Sequence, residues 1–273
     1  MDRSGLDRAF HARTVAVVGD KRANGYLFLK ALKAFQGKVY SVQIDPQELS
    51  GIQELGFPNY SSLQEVPEPV DYVICAVPRA ASVRIVKDCI QKRVGAVHLF
   101  TSGFAETGTE EGKRLQDEIA RLAREANLNL IGPNCMGLYN PSIGLRFGSD
   151  LYVGEGGQVG VIAQSGTHMS HFGIIGPSYG VITTLGVSYG NAVVLDSPDF
   201  LELLNRDPRT KAIALYVESV KDGRRFFRAL KEASRERPVV IWKGGETEAG
   251  TRGSWTAWWR GCRSCGATPG SPW

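Results

Sequence analysis

Hydrophobic positions along the chain fall into two alternating rhythms, short continuous runs and longer stretches spaced three and four residues apart. Residues 14–19 form the first run, β-branched and closed by glycine, and residues 26–35 follow it with helical spacing. Buried strands are predicted over 38–44, 71–77, 95–100 and 128–131. Helices are predicted over 79–92, with Val83, Val86 and Ile90 on one face, and over 109–127, burying Leu115, Ile119, Leu122 and Ala126. A second series starts near Val159. Strands are predicted at 159–163, 182–187, 211–217 and 238–242. The helices between them run from Thr167 through Tyr179, from Ser197, and over 222–236 through Phe226, Phe227, Leu230 and Ala233. Strand and helix alternate with short connections, so an α/β protein with parallel sheets and right-handed crossovers is expected.

The joint between the two series is Ile131-Gly132-Pro133-Asn134-Cys135-Met136-Gly137-Leu138-Tyr139-Asn140-Pro141. Gly132-Pro133 ends a strand ladder, and Asn134 with Cys135 places an amide and a thiol at a strand's carboxyl end, where open α/β sheets bind ligands. Two turns suit anions. Gly19-Asp20-Lys21-Arg22-Ala23-Asn24-Gly25 offers glycines and free amides at a helix start, but it is not a full GxGxxG; nucleotide or CoA binding and a plain tight turn both fit it. Gln164-Ser165-Gly166-Thr167 opens a helix directly from a strand, with two hydroxyls beside its first amides. Asp45-Pro46 either meets a ribose hydroxyl or simply turns the chain, and Glu218 at a strand's carboxyl end is either catalytic or a helix cap. His168 and His171 are read as packing or capping residues, because no carboxylate or cysteine completes a metal site beside them; no metal site is expected.

Composition narrows the class. The formal charge of +4 comes without a basic run, which argues against nucleic acid. Residues 156–195 hold no Asp, Glu, Lys or Arg and read as deep core, yet glycine and proline interrupt any membrane span. The start, Met1-Asp2-Arg3, lacks a signal peptide's apolar middle, so a cytoplasmic protein with no membrane contact is expected. Cys75, Cys89 and Cys135 suit reduced thiols. After Gly253 the character changes: four of the five tryptophans fall there, with no Asp, Glu, Lys, Leu, Ile or Val, and Cys262-Arg263-Ser264-Cys265 is a lone CxxC.

Taken together, Val17-Val18-Gly19, Gly37-Lys38-Val39-Tyr40 before Asp45-Pro46, Val77-Pro78, Ser102-Gly103-Phe104-Ala105-Glu106, Gly132 to Gly137, Gln164-Ser165-Gly166 and Tyr216-Val217-Glu218 form an ordered set. In order and spacing the set resembles the CoA-binding half of the NDP-forming acyl-CoA synthetases, relatives of the succinyl-CoA synthetase alpha subunit. The resemblance implies a Rossmann-like CoA-binding domain over 1–140, a linker over 141–157 with a short hairpin, and a flavodoxin-like ligase domain over 158–252. It implies reversible conversion of acyl-CoA, phosphate and NDP to acid, CoA and NTP through a phosphohistidine, with an ATP-grasp beta-type partner handling the nucleotide and Mg, and an oligomer. Gly19, Asp20, Lys21, Arg22, Asp45, Val77, Pro78, Ser102 and Gly103 would hold CoA, and Asn134 and Cys135 would lie near its thiol. Gln164, Ser165, Gly166 and Thr167 would cradle the phosphate, facing the first cradle across a hinge, while Glu218 steadies the histidine.

Two departures stand out. Asp20 occupies a position where the family has Ser or Thr, and the family's Ser-His-Thr-Gly loop reads here Ser254-Trp255-Thr256-Ala257. Tryptophan cannot accept a phosphoryl group. The expectation is a chain whose reading frame is lost near Gly253, so that 253–273 is a non-native or disordered tail and the chain alone is an incomplete ligase. The alternatives are a CoA-binding regulatory module without turnover and an NAD-binding Rossmann protein.

Overall fold

The computed structural model describes residues 3–244 of the 273; the tail, Trp255 and the CxxC lie outside the described residues. The first unit comprises α1 (Arg3–Phe10), β1 (Thr14–Val18), α2 (Leu27–Ala31), β2 (Lys38–Val42), α3 (Pro46–Glu54), β3 (Asn59–Tyr60), β4 (Tyr72–Cys75), α4 (Ser82–Lys92), β5 (Ala96–Leu99), α5 (Glu110–Glu125) and β6 (Asn129–Ile131). Its six strands run parallel in the order β3-β2-β1-β4-β5-β6. Every residue of β1, β4 and β5 is buried, as a sheet covered on both faces requires. The order reverses between β1 and β4, which opens a crevice at their carboxyl ends.

The second unit contains β7 (Gly137–Tyr139), β8 (Val159–Ala163), α6 (Gly166–Ile175), β9 (Thr183–Ser188), α7 (Ser197–Leu204), β10 (Ala212–Val217), α8 (Gly223–Glu236) and β11 (Val239–Lys243). Its order is β11-β10-β8-β9-β7. This sheet departs from the all-parallel expectation at one edge, where β7 pairs antiparallel to β9. The reason lies in the joint: the chain leaves β6 and turns through 132–136, and its next three residues dock directly on β9 without a crossover helix.

Other differences follow from residues that carry weak apolar signals. α4 turns Ser82, Ile85, Val86 and Cys89 inward, and Val83 and Ile90 flank that stripe, since a small serine and a thiol complete the face. α3 follows Asp45-Pro46 as a capped helix, and residues 147–157 carry turns and bends in place of the expected hairpin. Cys75, Cys89 and Cys135 are buried free thiols. No described helix is long and apolar enough to cross a membrane.

One buried cluster runs from Val15 and Phe28 through Ile131, Leu138 and Tyr139 into Val161 and Leu185, so both sheets pack on common ground. Backbone bonds reinforce it, with Asn191 N–H on Pro133 O (3.0 Å) and Val193 N–H on Gly132 O (3.1 Å). The Tyr72 hydroxyl accepts from the Leu138 N–H at 3.0 Å and lies within hydrogen-bond distance, 2.6 Å, of His98 Nδ1. A polar relay thus links β4 and β5 of the first sheet to β7 of the second.

Candidate functional site

The turn after β1 corrects the sequence reading. The amides expected to be free at the start of α2 are taken: Asp20 Oδ2 accepts from both Phe28 and Leu29 N–H at 3.0 Å, and its Oδ1 accepts from Lys21 N–H at 3.1 Å. Asp20 is 2% exposed, and burial pushes its carboxyl pKa up against the pull of those bonds. The chain fills its own first anion cradle with a carboxylate. Lys21 and the exposed Arg22 remain as the positive groups of the turn.

A 270 Å³ pocket opens beside that turn at the carboxyl ends of β1, β2 and β4, lined by Gly19, Gln43, Ile44, Ser61, Val77 and Arg84 among others. Gly19 has φ +81°, and a Cβ there would come within 2.6 Å of Val77 Cγ1, so only glycine permits this close approach of the two strand ends. Asp45, Pro78, Ser102 and Gly103 do not line this pocket. Asp45 Oδ1 caps α3 through Gln47 N–H at 3.0 Å, and Gly103 O accepts from Arg79 Nη1 at 2.7 Å. From the pocket wall a run of bonds reaches the joint: the Thr101 hydroxyl donates to Val77 O, and Asn134 N–H donates to Thr101 O at 3.1 Å.

The joint faces the larger site. A 540 Å³ cleft lies between the units, with Glu106 and Asn134 on one side and Gln164, Ser165, Gly166, Asn191, Glu218 and Lys221 on the other. Ser165 caps α6 by accepting from His168 N–H at 3.4 Å, and the amides of Gly166 and Thr167 begin the helix, where intrahelical acceptors do not exist. Gln164 Oε1 accepts from Glu218 and Ser219 N–H at 2.9 and 3.0 Å, fixing the strand end that presents Glu218. The cap of α8 is Asp222, through Arg225 N–H at 2.9 Å, so the helix-cap reading of Glu218 falls away. Cys135 is buried, its thiol turned to Leu99 O at 3.7 Å, and burial pushes its pKa far up. It is a neutral wall, not a nucleophile.

Several functional candidates escaped the sequence reading. Glu106 accepts from Gly103 N–H (2.6 Å) and Phe104 N–H (3.2 Å), and its other oxygen accepts from Asn191 Nδ2 (2.6 Å), tying the two units across the cleft. Burial pushes its carboxyl up, but those hydrogen bonds outweigh it and hold the pKa below the usual range. Lys221 contributes the ammonium of the cleft; Nζ donates to Ala192 O at 2.5 Å, and burial lowers its pKa, with Arg124 adding to that and Asp196 opposing. Arg84 is the cation of the smaller pocket. Glu106 was visible in the Ser102 to Glu106 motif, and Lys221 follows Glu218 by three; neither position revealed its orientation. His168 stacks on Tyr216 at 3.9 Å and 11°, edge-on to Trp242, whereas His171 is exposed.

Comparison with known proteins decides the family. Residues 13–141 match the CoA binding domain, and residues 156–257 match the succinyl-CoA ligase like flavodoxin domain. The chain is 37% identical over 255 residues to the alpha subunit of acetate–CoA ligase [ADP-forming] II of Pyrococcus furiosus, covering 90% of this chain and 53% of that protein. This chain belongs to the NDP-forming acyl-CoA synthetase family. Acetate–CoA ligase [ADP-forming] I of Archaeoglobus fulgidus is 34% identical over 250 residues, covering 90% of this chain and 36% of that protein. The apo structure of the dinucleotide forming acetyl-coenzyme A synthetase 1 of Ca. Korarchaeum cryptofilum superposes with a TM-score of 0.82 at 28% identity, covering 93% of this chain and 57% of that one. The chain therefore spans about half the length of the alpha subunit it matches, and it is the alpha-type region of this synthetase family that it carries.

Within that family frame Asp20 invites a direct test. D20A leaves the Phe28 and Leu29 amides without their acceptor and is expected to cost about 1–2 kcal/mol, the usual worth of such a cap. D20S, which keeps a small hydroxyl acceptor at the position, should recover part of that loss. Urea unfolding of the three proteins measures it, and equal midpoints for D20A and wild type would remove the carboxylate from the fold's capping scheme.

Proposed function

We propose that the chain holds CoA or an acyl-CoA along the carboxyl edge of the first sheet, from Gly19 and Val77 to Asn134, as the alpha-type part of an NDP-forming acid–CoA ligase. The contact run Val77–Thr101–Asn134 supports that path, with Arg84, Lys21 and Arg22 as the cations beside it. The thioester end then meets the cleft, and phosphate rests on the first amides of α6 between Ser165, Gly166 and Thr167. Glu218, presented by Gln164, would steady a cationic imidazole there. The single observation that carries the reading is this cleft, where a helix-start anion seat, a carboxylate and the Asn134–Cys135 joint converge.

Mg and NDP belong to an ATP-grasp beta-type subunit or domain, which makes the working enzyme an oligomer or a longer chain of the cytoplasm. Trp255 stands in the register of the phosphoryl-accepting histidine, so this chain alone binds CoA without becoming phosphorylated. The second reading, a CoA-responsive module without turnover, rests on that same tryptophan. Calorimetry with CoA and with NADH, followed by a search for phosphoenzyme in the presence of ATP and the partner, tests both. CoA binding without phosphoenzyme is the expected result. Absence of CoA binding overturns the proposal, tighter NADH binding favours a nicotinamide site, and phosphate on His168 or His171 contradicts their structural assignment.

A further inference from the structure

Resting on the CoA reading above, we infer that Glu106 and Asn191 are positioning residues for CoA. They form a strut by which the second unit sets the Ser102-Gly103-Phe104 turn of the first.

The turn lies on the proposed path. It follows Thr101, whose hydroxyl donates to Val77 O and whose carbonyl accepts from Asn134 N–H, so it continues the run from the smaller pocket to the joint. Charged side chains fix its backbone. Gly103 takes φ +101°, its carbonyl accepts from Arg79 Nη1 at 2.7 Å, and its N–H donates to Glu106 Oε1 at 2.6 Å. Phe104 N–H donates to the same oxygen at 3.2 Å. Gly103 is therefore held at both its peptide groups.

Arg79 acts from within the first unit, whereas Glu106 reaches outside it. Its Oε2 accepts from Asn191 Nδ2 at 2.6 Å, and that donor is anchored. Asn191 N–H donates to Pro133 O at 3.0 Å, the preceding Gly190 N–H donates to Gln164 O at 3.2 Å, and Nδ2 also reaches Gln116 Oε1 at 3.0 Å. Gln164 in turn accepts from Glu218 N–H. One carboxylate thus connects the turn on the CoA path to the loop that backs the phosphate seat.

An exposed pair of two flexible side chains contributes little. This pair differs because three N–H donors converge on one carboxylate, two of them backbone groups and the third carried on a loop tied down at consecutive residues. Hydrogen bonds to an ionised acceptor are about twice as strong as neutral ones. A turn already held in place spares CoA the cost of ordering it. Without the Asn191 amide the turn loses its reference to the second unit.

Calorimetry of the whole chain with CoA, comparing wild type, N191A, N191D and E106Q/N191D, tests the strut, and urea midpoints of the same four proteins accompany it. N191D sets carboxylate against carboxylate and is expected to weaken CoA binding about tenfold or more, the worth of one hydrogen bond to a charged group. N191A deletes the donor without adding charge and should lose less. E106Q/N191D reverses the bond, the introduced amide donating to the introduced carboxylate while Gln116 turns its own amide to follow, and should recover most of the affinity. If CoA fails to bind wild type, the underlying reading falls and the strut with it. If CoA binds but N191A and N191D match wild type, only the strut is overturned. A double variant that binds no tighter than N191D makes the Glu106 carboxylate a direct contact of CoA, and affinities that follow the urea midpoints reduce the pair to packing. Either result also overturns the assignment.

Discussion

Acidification from pH 7 to pH 4 is expected to remove about 3 kcal/mol of folding stability through His98 alone, at about 1.4 kcal/mol per pH unit. His98 is wholly buried in β5, and burial lowers its pKa from 6.5 to about 3. The unfolded chain binds a proton as the pH falls through 6.5, whereas the folded chain stays neutral until about 3. Between those values the unfolded state carries more protons, so stability falls with pH and is fully present only above 6.5. Geometry agrees with a neutral ring, because Nδ1 alone has a partner, the Tyr72 hydroxyl at 2.6 Å, and a charged ring would carry an Nε2 proton with no acceptor. Urea unfolding of wild type and H98Q at pH 7, 5 and 4 isolates this contribution from carboxylates that titrate in both. The stability difference between the two proteins should shift by about 3 kcal/mol across the range; a constant difference would mean that the imidazole is protonated in the folded state.

The two sheets were legible because their strands are continuous β-branched runs between helical spacings, as in 14–18 and 72–75. Glu218 and the Gln164-Ser165-Gly166 turn were legible too, since a strand's carboxyl end and a helix start are local properties of the chain. What stayed hidden depends on contacts between distant residues. Asp20 read as one of the residues of the CoA-holding turn, yet the structure turns it inward to cap α2, eight and nine residues away. Glu106 and Asn191 lie 85 residues apart and meet only because the joint folds the second unit back onto the first. β7 escaped for a similar reason. Three residues with a glycine among them have no strand signature until β9 offers an edge. Lys221 and Arg84 are ordinary surface cations by sequence, and only the walls around them give them a role.

Replacing Gly137 by alanine is expected to cost the protein about 3 kcal/mol or more, combining left-handed backbone strain with overpacking. Gly137 opens β7 at φ +86°, and a Cβ there would lie 2.2 Å from Tyr72 Oη and 2.6 Å from His98 Nδ1. Neither neighbour can retreat easily. Tyr72 is 1% exposed and His98 0%, and the pair is held at 2.6 Å while the Tyr72 oxygen also receives the Leu138 N–H. Gly25 supplies the control, since it has φ +65° with nothing within 4 Å, so G25A should cost only about 1 kcal/mol, the conformational part alone. Denaturant midpoints at unchanged slope compare the two, and a G137A loss within experimental error of G25A would show that the joint has room to spare. The double variant G137A/Y72F sharpens the comparison, because removing the hydroxyl takes away both the nearest obstacle and the relay. If the steric argument holds, the two substitutions are coupled by about 1 kcal/mol or more and the double variant is more stable than their sum. Simple additivity would place the strain elsewhere. The three residues before Gly137 are Asn134, Cys135 and Met136, so this one glycine position connects the packing of the joint to the walls of the pocket beside the start of α6.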